Sequence, residues 1–301
     1  MQIGIVGLGK MGYNLALNIH GKMFQVAAYD ISEETRKEMA GEGVATAGSL
    51  KDLVASLAPR RVIWLMVPSG KIVDDTINEL WPLLSKGDVI IDGGNSNYKD
   101  SVRRHAALAE RGIDFIDCGT SGGVSGALNG VCAMIGGNRE VFSFCEPLFK
   151  AIAVEGGYLY CGEAGSGHFA KMIHNGIEYG MMQAIAEGFD LMHQSEFGFD
   201  YAAVAGLWNK GSVIRSWLME LTQNAFVKDS NLDNIRGVMH SSGEGRWMLE
   251  TALEKSVATP VIALSLMMRY RSLQEDTFSG KVVAALRNEF GGHAVVKASE
   301  T

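Results

Sequence analysis

The chain has 301 residues, 47% of them hydrophobic and 20% charged, with a formal net charge of −7. That length suggests two domains, and the apolar share suffices for full cores in an ordinary soluble protein. The acidic balance argues against a nucleic-acid surface, so any basic groups that meet an anion must be local.

Met1 leads at once into an apolar run, Gln2-Ile3-Gly4-Ile5-Val6, with no basic leader or cleavage site. No apolar run reaches membrane-spanning length, since the best, Val261 to Met268, stops at Arg269. Cys118, Cys132, Cys145 and Cys161 form no CxxC pair and no zinc spacing, and read as reduced thiols. A cytoplasmic protein without a membrane partner is expected. Strand patterns follow at Ile3–Val6, Val26–Tyr29, Val62–Val67, Val89–Ile91 and Asp114–Asp117, with helical patterns between them, as at Met11–His20 and Ser32–Glu42. Such alternation predicts a parallel sheet with helices on both faces, an α/β doubly wound Rossmann-type domain. Val131–Ile135 and Tyr158–Tyr160 are candidates for further strands of that sheet.

Beyond Gly165 the pattern turns helical: Gly167–Gln194, Tyr201–Trp208, Ile214–Gln223, Trp247–Glu254, Val261–Gln274 and Lys281–Glu289. An all-α C-terminal domain of roughly 140 residues is expected, a usual domain size. The boundary falls near Gly162–Gly167, giving domains over 1–164 and 165–301.

Gly7-Leu8-Gly9-Lys10-Met11-Gly12 fits GxGxxG. The pattern alone is weak, but here it follows a strand and opens a helix, the context that dinucleotide binding requires. The glycines allow a tight turn, close approach of backbone to a pyrophosphate, and close packing of helix on strand. Asp30 ends the second strand pattern at about the ~20-residue spacing expected for a ribose-binding carboxylate. A carboxylate there accepts from the ribose hydroxyls and repels a 2′-phosphate, so NAD is expected rather than NADP. The plainer reading of Asp30 is a cap on the helix that begins near Ser32, and both roles can coexist. Met66-Val67-Pro68 closes a later strand, at the end where such sheets bind ligands.

Read as a helix, Lys171, His174, Asn175 and Glu178 fall within an arc of roughly 100°. An amine, an imidazole, an amide and a carboxylate thus share one stripe. Spacing alone leaves two meanings open, a solvated polar face and a functional one. A surface helix more often carries Glu/Lys pairs than this mixture.

Taken together, these segments resemble the 6-phosphogluconate dehydrogenase family, within the wider β-hydroxyacid dehydrogenases. The resemblance rests on Gly7 to Gly12, Asp92-Gly93-Gly94-Asn95-Ser96, Ser121-Gly122-Gly123-Val124-Ser125-Gly126-Ala127, and Lys171 through Tyr179. Near the end, Arg287-Asn288-Glu289-Phe290-Gly291-Gly292-His293 looks like the family's tail motif. The resemblance implies Lys171 as catalytic base and Glu178 as the acid that protonates the product carbon. It implies substrate binding by Asn95, Ser121, Gly122, Gly123, His174 and Asn175, with Asn95 also at the cofactor. Tyr179, Arg287 and His293 are its implied phosphate ligands, and the tail acts in a neighbouring subunit's site. A homo-oligomer with shared sites, dimer or tetramer, follows from the resemblance, acting on a small phosphosugar acid.

Two departures stand out. The helical domain is about half the size of that in the family's long members, and Ser241-Ser242-Gly243-Glu244-Gly245-Arg246-Trp247 has serine where their glycine loop carries a substrate-binding lysine. Arg271 is taken as an additional phosphate ligand in its place. Asp30-Ile31-Ser32 also lacks the arginine that NADP-using members place after this strand. The implied reaction oxidises a hydroxyl β to a carboxylate and then loses carbon dioxide. Lys171 can take the hydroxyl proton only as the free amine. No HEXXH pattern or acidic cage is visible in the sequence, and no metal is expected. The rivals are a β-hydroxyacid dehydrogenase or semialdehyde reductase without decarboxylation, whose lysine is usually followed by paired asparagines, and a non-enzymatic dinucleotide sensor.

Overall fold

The computed structural model describes residues 1–298; the last three residues of the expected second domain lie outside it. Eight strands run in chain order: β1 (Gln2–Val6), β2 (Gln25–Tyr29), β3 (Ala45–Thr46), β4 (Val62–Leu65), β5 (Val89–Asp92), β6 (Asp114–Ser121), β7 (Val131–Gly137) and β8 (Ala153–Gly162). Seven helices connect them or follow them: α1 (Lys10–Gly21), α2 (Glu33–Gly41), α3 (Leu50–Ser56), α4 (Lys71–Leu80), α5 (Tyr98–Ala109), α6 (Gly123–Asn129) and α7 (Arg139–Ile152). The sheet order is β3-β2-β1-β4-β5-β6-β7-β8. The order reverses between β1 and β4, the switch point where such sheets bind ligands beyond the strands' carboxyl ends.

Alternation along each strand feeds two cores. Ile3, Ile5, Val62, Trp64, Val89 and Ile91 pack with α1 and α7 on one face. Val6, Ile63, Leu65 and Ile90 pack with α3, α4 and α5 on the other. Both expected extra strands join the sheet, but not all pairs are parallel: β7 runs antiparallel to β6, with Ser121 opposite Cys132, while β8 pairs parallel with β7. The expected parallel sheet holds from β3 through β6 and becomes mixed at β7. Strands buried on both sides carry the same apolar signature in either direction, so the pattern could not report the reversal.

The second half is all helical: α8 (Ser166–His193), α9 (Tyr201–Trp208), α10 (Trp217–Lys228), α11 (Gly243–Glu254), α12 (Pro260–Ser272) and α13 (Phe278–Gly291). Its core gathers Phe189, Ala205, Met219 and Phe226, with the Phe189 and Phe226 rings 5.0 Å apart. α10 starts later than its expected Ile214 because Ser216 caps it, accepting from the Met219 N–H at 3.1 Å. No residue of α13 is buried, although it carries Phe278, Leu286 and Phe290. Among the described residues no helix is long and apolar enough to cross a membrane.

The chain divides into compact units at Met1–Gly176 and Ile177–Thr301, a division that falls within α8. The first turns of α8 are anchored to the sheet. Buried Asp117 of β6 accepts from the Gly165 N–H at 2.6 Å and the His168 N–H at 2.8 Å. A Cβ at Gly167 would lie 2.4 Å from the Met134 carbonyl oxygen, so glycine is what lets the helix sit this close.

Candidate active site

A cavity of about 630 Å³ lies along the carboxyl ends of β2, β1, β4, β5 and β6, within the usual size of a small-molecule site. Gly7, Gly9, Lys10, Met11, Gly12, Asp30, Met66, Val67 and Asn95 line it. Leu8 does not: its side chain is buried in the core, and only its backbone N–H takes part, donating to Asp30 Oδ2 at 2.6 Å.

The three glycines have different reasons. A Cβ on Gly7 would lie 2.5 Å from the Met66 carbonyl oxygen, and one on Gly12 2.0 Å from that of Gly7. The chain's own packing demands both. A Cβ on Gly9 would meet no other part of the chain within 4 Å, so the open space there suits a ligand rather than the protein. Gly9 is also the N-cap of α1 and offers no side chain to satisfy the first N–H groups. An uncapped helix start opening on a cavity fits a pyrophosphate.

The Asp30 carboxylate accepts from Leu8 N–H and, through Oδ1, from Ser32 N–H at 2.8 Å. Ser32, not Asp30, caps α2, accepting from Thr35 N–H at 3.2 Å. Two of about four acceptor positions on the carboxylate are thereby used, which leaves capacity for ribose hydroxyls. Arg36 returns to this loop from α2, donating to the Asp30 carbonyl at 2.5 Å. Only the fold shows this, because the arginine comes a helical turn after the strand.

Asn95 sits on a turn that a buried charge network holds. Arg104, 2% exposed, bonds Asp74 at 2.8 Å and fully buried Asp92 at 3.2 Å. Asp92 also accepts from Ser96 Oγ at 2.7 Å and Gly94 N–H at 3.1 Å. Burial alone would raise the Asp74 carboxyl, but hydrogen bonds from Arg104 and Arg103 outweigh it and hold the group below its usual range. A Cβ on Gly93 would strike Trp64 Nε1 and one on Gly94 the Val67 carbonyl oxygen. Asn95 takes a left-handed φ of 53°, and its amide exchanges two bonds with the Thr120 backbone, at 3.0 and 3.3 Å.

The end of β6 links this cavity to α8. A Cβ on Gly119 would lie 2.4 Å from Lys171 Cβ, so the lysine packs directly on that strand. Thr120 lines the cavity, and Ser121 Oγ is 3.3 Å from His174 Nε2. Lys171 is 6% exposed, and its Nζ donates to Asn175 Oδ1 at 2.7 Å. His174 Nδ1 is 3.1 Å from the same oxygen and 3.5 Å from Lys171 Nζ. Gly122 and Gly123, at φ 111° and 60°, make the turn that starts α6. Glu178 lies further along α8.

Within the second unit, buried Tyr179 is the centre of a separate cluster. Its hydroxyl accepts from the Ser242 N–H at 2.8 Å and lies 3.0 Å from Ser242 Oγ. A Cβ on Gly245 would strike the tyrosine ring. The Arg269 guanidinium stands 3.6 Å from the ring centroid and donates to the His240 carbonyl at 2.8 Å. Arg271 does not join this cluster: it bonds the Gln274 carbonyl and closes the end of α12. The two arginines lie about 200° apart around a helix at 100° per residue. Arg287 and His293 are exposed, and the tail folds back so that the His293 N–H meets the Arg287 carbonyl at 3.4 Å.

Residues 2–162 match the model of the NAD binding domain of 6-phosphogluconate dehydrogenase, and residues 167–299 that of its C-terminal domain. The chain belongs to the 6-phosphogluconate dehydrogenase family. YqeC of Bacillus subtilis, named provisionally as a 6-phosphogluconate dehydrogenase, is 58% identical over 297 residues, covering 99% of this chain and 100% of its own. An NAD(+)-dependent, decarboxylating 6-phosphogluconate dehydrogenase of Haloferax volcanii is 41% identical over 299 residues, 99% of each chain. The solved Plasmodium falciparum 6-phosphogluconate dehydrogenase superposes with a TM-score of 0.83 at 30% identity, over 100% of this chain and 67% of the longer one.

Proposed function

We propose that this family member oxidises 6-phosphogluconate with NAD and releases carbon dioxide, giving ribulose 5-phosphate. One observation carries the reading. Three successive residues at the end of β6 touch Lys171, line the dinucleotide cavity and bond His174, so a buried amine stands beside the site where a nicotinamide ring is expected.

Lys171 takes the proton of the substrate's 3-hydroxyl. Bound NAD supplies the acceptor for the hydrogen and electron pair that leave the same carbon. The bond to the carboxylate carbon then breaks, and its electron pair moves toward the new carbonyl oxygen. The protonated Lys171 donates to that oxygen and stabilises the developing charge. Glu178 delivers a proton to the carbon that lost carbon dioxide, which completes the ketone. Asn95, Ser121, Gly122, Gly123, His174 and Asn175 hold the hydroxyls and carboxylate. Tyr179 is a phosphate ligand, and Arg269 takes the part expected of Arg271, supported by its position over the tyrosine ring.

NAD is preferred over NADP because Asp30 repels a 2′-phosphate. The protein is a homo-oligomer in which Arg287 and His293 serve a neighbour's site; support comes from α13, whose apolar residues find no cover in one chain. Purified protein given 6-phosphogluconate with NAD or NADP, with gas collected, tests the reading. NADH and carbon dioxide should rise together, with NADP a poor substitute. Reduced nucleotide without gas would mean a simple dehydrogenase, and better use of NADP would remove the role given to Asp30.

A further inference from the structure

We propose that Glu79 reads the adenine base of the dinucleotide by accepting a hydrogen bond from its 6-amino group; this rests on the dinucleotide reading of the cavity. Ile72, Thr76 and Glu79 line that cavity and recur at helical spacing along α4. The opposite side of the helix, Val73, Ile77 and Leu80, is buried in the core, so the stripe is held in place.

The stripe lies at the adenosine end. α3 packs against both β2 and α4, and its Leu50 lines the same cavity together with Asp30 and Ile31. Since Asp30 marks the ribose, the base lies beyond it on this side. Ile31 is 89% exposed and Ile72 49%, two branched apolar side chains open on the cavity in the way a flat ring needs. They give the base its faces but no polar edge.

Glu79 supplies that edge. Of the three acidic residues of α4, Asp74 is bound by Arg103 and Arg104, and Asp75 by Lys71. Among the described residues Glu79 makes no hydrogen bond or ion pair. An ionised carboxylate only accepts. Adenine offers a donor at position 6, whereas hypoxanthine offers a carbonyl oxygen that the carboxylate repels.

The test is calorimetric titration of NAD and of nicotinamide hypoxanthine dinucleotide into wild type, Glu79→Gln and Glu79→Ala. Wild type should bind NAD about fivefold tighter, the net size of one ordinary hydrogen bond. Glu79→Ala should bring the two within about twofold, by weakening NAD and by relieving the repulsion of the hypoxanthine carbonyl, and Glu79→Gln, which keeps an acceptor and adds a donor, should fall between. Equal binding of both nucleotides by wild type, or an unchanged preference in Glu79→Ala, overturns the proposal alone. Failure of wild type to bind either nucleotide overturns the cavity reading and the proposal with it.

Discussion

Lys171 Nζ donates a hydrogen bond to Asn175 Oδ1, one helical turn away, at 2.7 Å. The bond fixes the direction of the amine. His174 Nδ1 approaches the same oxygen at 3.1 Å, so the amide also sets the imidazole. Asn175→Ala should therefore leave NAD binding intact and lower kcat by about 10²-fold, the usual result of a misplaced reacting group. Steady-state kinetics beside fluorescence titration of NAD measures both. A kcat within threefold of wild type would show that the amide does not position the lysine.

Asp30 has a structural duty as well as its proposed ribose contact, because it holds the Leu8 and Ser32 N–H groups. Asp30→Ala should weaken NAD and also cost about 1–3 kcal/mol of stability, the penalty of leaving partly buried donors unpaired. Asp30→Asn with Ile31→Arg keeps an acceptor there and adds a cation, so the ratio of kcat/KM for NADP to that for NAD should rise by at least about tenfold. An unchanged ratio would separate Asp30 from nucleotide choice.

Arg104 neutralises Asp92 in a site where the two side chains are 2% and 0% exposed. Arg104→Leu leaves that carboxylate buried and unpaired, and should cost about 3–5 kcal/mol in urea unfolding. It should also loosen the Gly93–Gly94–Asn95 turn and weaken NAD. Arg103, 56% exposed, bonds Asp74 from solvent, and Arg103→Ala should cost less than about 1 kcal/mol. Equal losses from the two variants would contradict the network's role.

The tail is proposed to work in a second copy. Phe278, Leu286 and Phe290 of α13 are 81%, 57% and 77% exposed in the single chain. Lys171→Met and Arg287→Ala should each be inactive, yet regain activity when mixed under subunit exchange, since a mixed dimer holds one site with both residues intact. Absence of recovery, with exchange demonstrated by mass, would assign each tail to its own chain.

Much of this was legible in the residues because the first domain announces itself locally. Strand, glycine turn and helix start are neighbours in sequence at Gly7–Gly12, and Asp30 follows at the usual distance. The polar stripe of Lys171, His174 and Asn175 was readable from helical period alone, though not its meaning. Long-range choices were not readable. Arg104 reaches back to Asp74, and Asp117 holds Gly165 and His168, partners far along the chain, and nothing nearby marks either residue as buried. Arg269 and Arg271 could not be told apart because apolar residues surround much of α12 and blur its inward face. Arg36 was missed for a related reason: it reaches the Asp30 loop only once α2 has folded back over it.

The central claim is that Lys171 is the base of an oxidative decarboxylation. The measurement that tests it most directly follows NADH and carbon dioxide together, in wild type and Lys171→Met, with NAD affinity determined for both proteins. Wild type should give one carbon dioxide per NADH from 6-phosphogluconate, and Lys171→Met should give neither while binding NAD as wild type does. A variant that keeps a tenth of wild-type turnover, a barrier change of only ~1.4 kcal/mol, would contradict the claim, as would NADH formed by wild type without the gas.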